Sequence, residues 1–268
     1  MQFLPMKSAD WQLFLKWAAT ERWTIPSQEL RLFQEQWRHC FFVLHAEGKV
    51  TGFISAVAYE ESGWIGNLLV GSAYRGLGYG SALFDFALAS LRQAGLKRIW
   101  LTASKTGLPI YQRRGFVTLD RVDRWCGRGQ GLLELSQRLA TTELIDLDRN
   151  CWGESRAALL SLLANQAEIC GSDKNMALLQ PSASAWQLGP WLAPPHDSQQ
   201  NRLTLQEALA KTPAGAGLLT DVLASAGMEA CLHLAGFNKS GSNLLMCLST
   251  QTPCLQGVVA LASLGSIG

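Results

Sequence analysis

Apolar positions recur at helical spacing over residues 9–40. One pattern carries Trp11 and Trp17, a second follows Ser27 as its cap candidate, and Thr24-Ile25-Pro26-Ser27 breaks the period between them. The pattern then shifts to short apolar runs. Residues 40–59, CFFVLHAEGKVTGFISAVAY, predict a hairpin turning at Glu47-Gly48-Lys49, and 63–70, GWIGNLLV, predict a third strand ending before Gly71. After a glycine-rich stretch, Leu83, Ala87, Leu88 and Leu91 mark one face of a helix that Gly95 can stop. Residues 97–103 then read as a strand, 108–114 as a short helix ended by Gly115, and 116–125 as another strand.

Slid against itself, the chain shows an internal repeat: 101–116, LTASKTGLPIYQRRGF, lies over 222–237, VLASAGMEACLHLAGF, with Ala-Ser and Gly-Phe coinciding at the ends. Upstream, the segment from Gly66 answers to the one from Gly189. With GRGQG at 127–131 read as a linker, the expectation is two domains, 1–130 and 131–268. The apolar ending from Leu255 to Gly268 is read as a closing strand buried in its own sheet, with an interface as the alternative.

Composition narrows the class. Of 268 residues 48% are hydrophobic, enough for packed cores, yet no apolar run reaches the ~20 residues of a membrane helix and the start lacks a signal-peptide pattern. Seven cysteines are scattered without zinc or disulfide spacing, so no metal is expected and the address is read as cytoplasmic. Residues 1–130 hold 16 Lys and Arg against 10 Asp and Glu, and the remainder 7 against 11. The basic charges are dispersed, which argues against nucleic acid and for an anionic small-molecule site. His196-Asp197-Ser198 spells a triad, but sequence neighbours point apart and cannot form the relay.

The stretch 71–83, GSAYRGLGYGSAL, carries the sharpest signal. A strand entering a glycine-rich loop that opens a helix aims unpaired N–H groups at one spot, with the positive end of the helix dipole behind them. Gly76, Gly78 and Gly80 permit unusual dihedrals and let a phosphate approach the amides. Neither the Rossmann nor the P-loop spacing is present.

Arg75-Gly76-Leu77-Gly78-Tyr79-Gly80 resembles the Arg/Gln-x-x-Gly-x-Gly/Ala acyl-CoA signature of the GNAT superfamily of N-acetyltransferases. Residues 104–116 resemble its second signature, Asn-x-x-Ala-x-x-Leu-Tyr-x-x-x-Gly-Phe, and the likeness spans roughly residues 3–126. The resemblance implies an α/β (α+β) fold of two tandem GNAT-like domains, each a mixed, mostly antiparallel sheet flanked by helices, the second degenerate because its glycines are replaced. It also implies acetyl-CoA as cofactor, held by Leu68, Leu69 and Val70 on the third strand, by Arg75, Gly76, Leu77, Gly78, Tyr79, Gly80 and Ser81 in the loop, and by Ser104. Tyr111 would protonate the leaving sulfur, and a backbone N–H near Leu69 or Val70 would meet the carbonyl oxygen.

Departures stand beside it: Ser104 for Asn, Gly107 for Ala, and Gly66 and Asn67 where many members carry an acid. Glu60 and Glu61 are then the adjacent carboxylates nearest that edge and the candidates for the base. Trp23 is a candidate aromatic wall for the acceptor. The expected reaction is direct acetyl transfer to a small-molecule or peptide amine, with no membrane partner and a homodimer left open. The competing class is a non-catalytic acyl-CoA-binding sensor.

Overall fold

The computed structural model describes residues 1–132, 140–195, 197–250 and 255–268; His196 and Cys254 lie outside them. Strand β1 (Gln2–Pro5) leads into α1 (Ser8–Thr20) and α2 (Ser27–Glu35). Pro26 rather than Ser27 is the cap residue of α2. Then come β2 (Phe41–Ala46), β3 (Lys49–Ala58) and β4 (Ser62–Val70), the β2–β3 turn taking left-handed Glu47 and Gly48 (φ 53° and 73°), as a two-residue hairpin requires. Helix α3 (Tyr79–Gln93), β5 (Arg98–Ala103), α4 (Leu108–Gln112) and β6 (Val117–Arg128) follow. The anticipated linker at 127–131 is partly strand: Gly127 and Arg128 pair with Leu218 and Gly217.

The remaining elements are α5 (Thr141–Trp152), α6 (Ala157–Ala164), β7 (Glu168–Ser172), β8 (Asn175–Gln180), β9 (Trp186–Leu192), α7 (Ser198–Lys211), β10 (Gly217–Leu223), α8 (Glu229–Leu234), β11 (Asn238–Leu248) and β12 (Val258–Ala260). The order β7-β8-β9-α7-β10-α8-β11 repeats β2-β3-β4-α3-β5-α4-β6.

Among the described residues all strands join one 12-stranded sheet in the order β1-β2-β3-β4-β5-β11-β6-β10-β12-β9-β8-β7. At its centre the halves exchange strands: β11 pairs with β5, β6 pairs with β10, and β6 and β11 pair antiparallel with each other. Ladder hydrogen bonds therefore cross between the halves. The sheet is mostly antiparallel, with parallel contacts only at β4–β5 and β9–β10.

Two packed faces hold the first half. Trp11, Phe14, Phe33, Phe41 and Phe53 form an edge-to-face aromatic cluster under α1 and α2. The predicted stripe Leu83, Ala87, Leu88 and Leu91 of α3 is buried on the other face against Ile54 and Leu101. Each large side chain so buried contributes about 1.5–3 kcal/mol. Trp152 of α5 packs 5.0 Å from Trp100 and 6.4 Å from Trp64 between ring centroids, which ties the second half to β4 and β5. No helix is long and apolar enough to cross a membrane among the described residues.

Candidate active site

Strands β4 and β5 pair only from Ser62–Trp64 to Arg98–Trp100 and then diverge. Beyond Trp64, β4 keeps one ladder neighbour, β3, and its other edge faces an opening. A bulge in β4 sets Asn67 and Leu68 against Ile54, since Leu69 pairs with Phe53 and Gly66 with Ser55. Asn67 takes φ 53° to make it. A bulge releases backbone groups from the ladder and re-aims them, so Asn67 and Leu68 join Val70, whose N–H alternates away from β3 because Gly71 N donates to Thr51 O at 3.1 Å, as candidate donors near the opening.

At the end of β4 the glycine stretch turns into α3. Gly76 and Gly78 hold φ 79° and 85°, and a Cβ at either would meet nothing within 4 Å. Conformation, not crowding inside the protein, makes these positions glycine. Gly78 is the N-cap of α3, no side chain caps the helix, and its first turn carries no acid. The first-turn N–H groups are left for an anion. Arg75 braces this loop, Nε donating to Val70 O at 3.1 Å and Nη2 to Glu21 Oε1 at 2.5 Å.

The opening between β4 and β5 leads to a cavity of about 210 Å³. The first half lines it with Trp23, Glu29, Asn67, Leu68, Ser104 and Tyr111, among others. The second half supplies Asn243, Leu264, Gly265 and Ser266. The chain following β12 crosses the first half here. Gly265 O accepts from Trp64 Nε1 and Thr102 Oγ1, each at 3.2 Å, Leu264 O accepts from Arg124 Nη2 at 2.8 Å, and Ile267 O accepts from the Tyr59 hydroxyl. Ser263 Oγ accepts from the N–H groups of Gly265, Ser266 and Ile267.

This crossing explains Gly66. A Cβ there would lie 2.5 Å from Ser266 O, a backbone atom, so no side chain, acidic or otherwise, fits. Gly66→Ala is expected to lower stability by about 1–3 kcal/mol, read as a lower urea midpoint. An unchanged midpoint would mean the 263–267 segment yields without cost.

The equivalent opening in the second half is closed. Strand β12 pairs with both β9 and β10, and a Cβ on Gly189 would lie 2.0 Å from Leu261 O. Helix α7 is capped by its own Asp197, whose Oδ1 accepts from Gln200 N at 3.2 Å. A carboxylate already occupies the position an anion would take.

Three ionisable groups line the cavity among the described residues. Glu29, in the first turn of α2, is 6% exposed, and its Oε2 has no hydrogen-bond partner. Burial pushes its carboxyl up to about 7; the Ser266 hydroxyl and the Arg124 guanidinium pull the other way, and Asp221 adds to the rise. Arg124 is forked onto Asp221, Nε to Oδ1 at 2.7 Å and Nη2 to Oδ2 at 2.8 Å. Tyr111 is 8% exposed and packs 4.9 Å from Phe84 between centroids. Burial pushes its phenol up to about 12.

Of the residues expected from sequence, Trp23, Leu68, Ser104 and Tyr111 meet at the cavity. Ser104 also accepts from Gly107 N at 3.2 Å. Leu69 is buried in the core, while Val70, Arg75, Gly76, Leu77, Gly78, Tyr79, Gly80 and Ser81 follow the strand-to-helix junction. Glu60 and Glu61 do not reach the cavity. They are exposed at the β3–β4 turn, and the strand rise puts roughly 15 Å between that turn and Gly66. The Glu61 N–H is tied instead to Glu154 Oε2 at 2.8 Å. The carboxyl at the cavity is Glu29, which sequence reasoning passed over. Its signal was positional: Glu29, Leu32 and Phe33 share one buried face of α2, so a carboxyl sits on an apolar stripe. Arg124 and residues 264–266 were also missed.

Residues 9–116 match the model of the Acetyltransferase (GNAT) family. Holothin acyltransferase from Pseudoalteromonas sp. (strain SANK 73390) is 24% identical over 163 residues, 58% of this chain and 54% of that protein, so the match spans about half the relative's length. The fold recurs in the crystal structure of an acetyltransferase from Pyrococcus horikoshii, with TM-score 0.79 at 15% identity over 98% of this chain and 94% of that one. It recurs also in a GCN5-related N-acetyltransferase from Sphaerobacter thermophilus, with TM-score 0.67 at 12% identity over 95% and 98% of the two chains. The split strands and the glycine turn both lie within residues 9–116, the part of the chain that matches the acetyltransferase (GNAT) family model.

Proposed function

We propose that the chain is an acyl-CoA-dependent N-acyltransferase that moves an acetyl group directly to a primary amine in a ternary complex. The observation that carries this reading is one continuous path: left-handed Gly76 and Gly78 at an uncapped helix start, the bulged edge of β4, and Tyr111 at the cavity beyond. The residues present suit acetyl-CoA. The amides at the start of α3 would take its diphosphate, the open edge of β4 would pair with its amide-bearing arm, and Tyr111 and Asn67–Leu68 would flank the thioester. When bound, acetyl-CoA supplies a thioester carbon open to attack by an amine.

The chain's own groups then divide the work. Tyr111 holds a proton at Oη for the departing sulfur, and the bulge offers a backbone N–H to the carbonyl oxygen. No cysteine lines the cavity among the described residues, and burial pushes the Cys40 and Cys151 thiols up to about 11 and those of Cys170 and Cys247 up to about 12. Thiols held so firmly protonated are poor acyl carriers, which favours direct transfer. The halves read as tandem copies, 1–130 and 131–268, with the second retained for its strands and its share of the cavity wall rather than for a second reaction.

Calorimetry with acetyl-CoA and a thiol-release assay over a panel of amines test the reading. Gly78→Val, at φ 85°, is expected to weaken acetyl-CoA binding at least roughly tenfold, because a β-branched residue leaves the left-handed region at a cost of about 1–2 kcal/mol and takes the loop with it. Unchanged affinity removes the loop from the binding site. Tight acetyl-CoA binding without thiol release from any amine would leave the sensor in place of the enzyme.

A further inference from the structure

Resting on the acetyl-transfer reading, we propose that Glu29 takes the proton from the acceptor ammonium, and that the acceptor is a compact primary amine carrying no carboxylate beside its nitrogen. A base is needed because an alkyl ammonium of pKa ~10.4 is protonated at neutral pH. Glu29 lines the cavity together with Tyr111, is 6% exposed, and has an oxygen with no partner. The position on β4 where an acid would otherwise stand is Gly66, filled by the backbone of Ser266, so the carboxyl comes from the opposite wall, on α2.

The charge balance of the cavity selects the acceptor. Arg124 is the sole cationic side chain in the lining among the described residues, and its charge is paired: Nε and Nη2 are taken by Asp221, and Nη2 also by Leu264 O. Arg124 from β6 and Asp221 from β10 cancel, which leaves the Glu29 carboxylate, with the neutral Ser266 hydroxyl beside it, as the net charge facing the ligand. An ammonium is drawn to that charge. A carboxylate on the neighbouring carbon would be desolvated against Glu29, with the one lining cation among the described residues already paired to Asp221. At about 210 Å³, below the ~300–1,000 Å³ of pockets for drug-sized ligands, the cavity admits the amine end of a molecule and little more.

The step balances. Glu29 accepts one proton from R–NH₃⁺, the freed nitrogen pair forms the N–C bond as the C–S bond breaks, and the sulfur leaves with the proton of Tyr111 Oη. The second proton shed by the positively charged nitrogen, which keeps one N–H in the product amide, together with the Glu29 proton re-protonates Tyr111 and passes to solvent.

The test uses the purified full chain and matched pairs in which the amino acid's sole primary amine is the one beside its carboxylate: isoamylamine with leucine, agmatine with arginine, tyramine with tyrosine. At least tenfold higher kcat/KM is expected for each decarboxylated amine, and parity or a preference for the amino acids would overturn the acceptor class. Glu29→Gln is expected to lower kcat/KM on the order of 100-fold and to remove a rising limb of the pH profile centred near 7. A variant that keeps both rate and limb overturns the base. Calorimetry of cadaverine binding with coenzyme A present, where no turnover occurs, reads the site without the reaction: a tenfold loss in Glu29→Gln supports the contact, and equal binding refutes it. If no amine is acetylated while cadaverine binding still depends on Glu29, the acetyl-transfer reading fails and the cation site stands.

Discussion

Phenylalanine at position 111 is expected to lower kcat on the order of 100-fold and to leave acetyl-CoA affinity within about twofold. The substitution is clean because the ring is held by packing: Phe84 and Phe116 lie 4.9 and 6.4 Å away between centroids. Only a proton at Oη is lost. Burial pushes that phenol up to about 12, so it stays protonated across the working range. The same burial makes it a weaker acid than a free phenol, which places the expected loss at the low end of the ~10²–10⁴ that general acids contribute. A thiolate released into the same apolar surroundings is also raised above its ordinary ~8.5, which brings donor and acceptor closer together. Single-turnover thiol release with calorimetric acetyl-CoA affinity separates the two quantities. An unaltered kcat takes Tyr111 out of the mechanism, and an equal loss in affinity makes it a packing residue.

The first half of the fold was legible because its signals are local. Hairpin glycines, the α3 stripe and the Gly95 stop each fix a stretch of backbone through near neighbours, and the structure places them at the Glu47–Gly48 turn, on the buried face of α3 and just beyond its end. Strand β1 escaped notice because a four-residue edge strand has too few positions to show a period. The internal repeat was legible as well, and its element order is present in the structure.

What the repeat could not reveal is the exchange of β6 and β11. Either strand would satisfy its period within its own half; the choice of neighbour is tertiary. The difference between the expected and the observed lining of the cavity has the same origin. Glu60 and Glu61 were judged by sequence distance from the opening, whereas the cavity is assembled from α2, β4, β6 and the 264–266 segment, parts separated by up to the whole chain. The last of these also accounts for Gly66 and Gly189 together. Both lie where backbone from 261–266 passes within 2.5 Å of an added Cβ, so the absence of an acid on β4 reflects a neighbour remote in sequence.

The proposed base carries a stability cost, and its pH dependence has a definite sign. Glu29 binds its proton more tightly folded, near 7, than at the ordinary 4.5 of an unfolded chain. Between these values the native state holds more protons, so its contribution is fullest below pH 4.5, falls as pH rises to about 7, and is flat above. The shift corresponds to about 3 kcal/mol. Glu29→Gln, which keeps the volume and removes the charge, is therefore expected to be more stable than the wild type by up to about 3 kcal/mol at pH 8, and nearly equal to it at pH 4.5. For a chain of this size that is several degrees in Tm. Urea unfolding of both proteins at pH 4.5, 6 and 8 reads the difference directly. A gap that does not widen with pH would mean that the Glu29 carboxyl is solvated or paired when folded, and would leave the cavity without the desolvated charge on which its preference for an amine depends. A widening gap together with lost turnover would mark Glu29 as a residue whose burial is tolerated for what it does to an ammonium, a form of trade in which removing a functional group stabilises the fold that holds it.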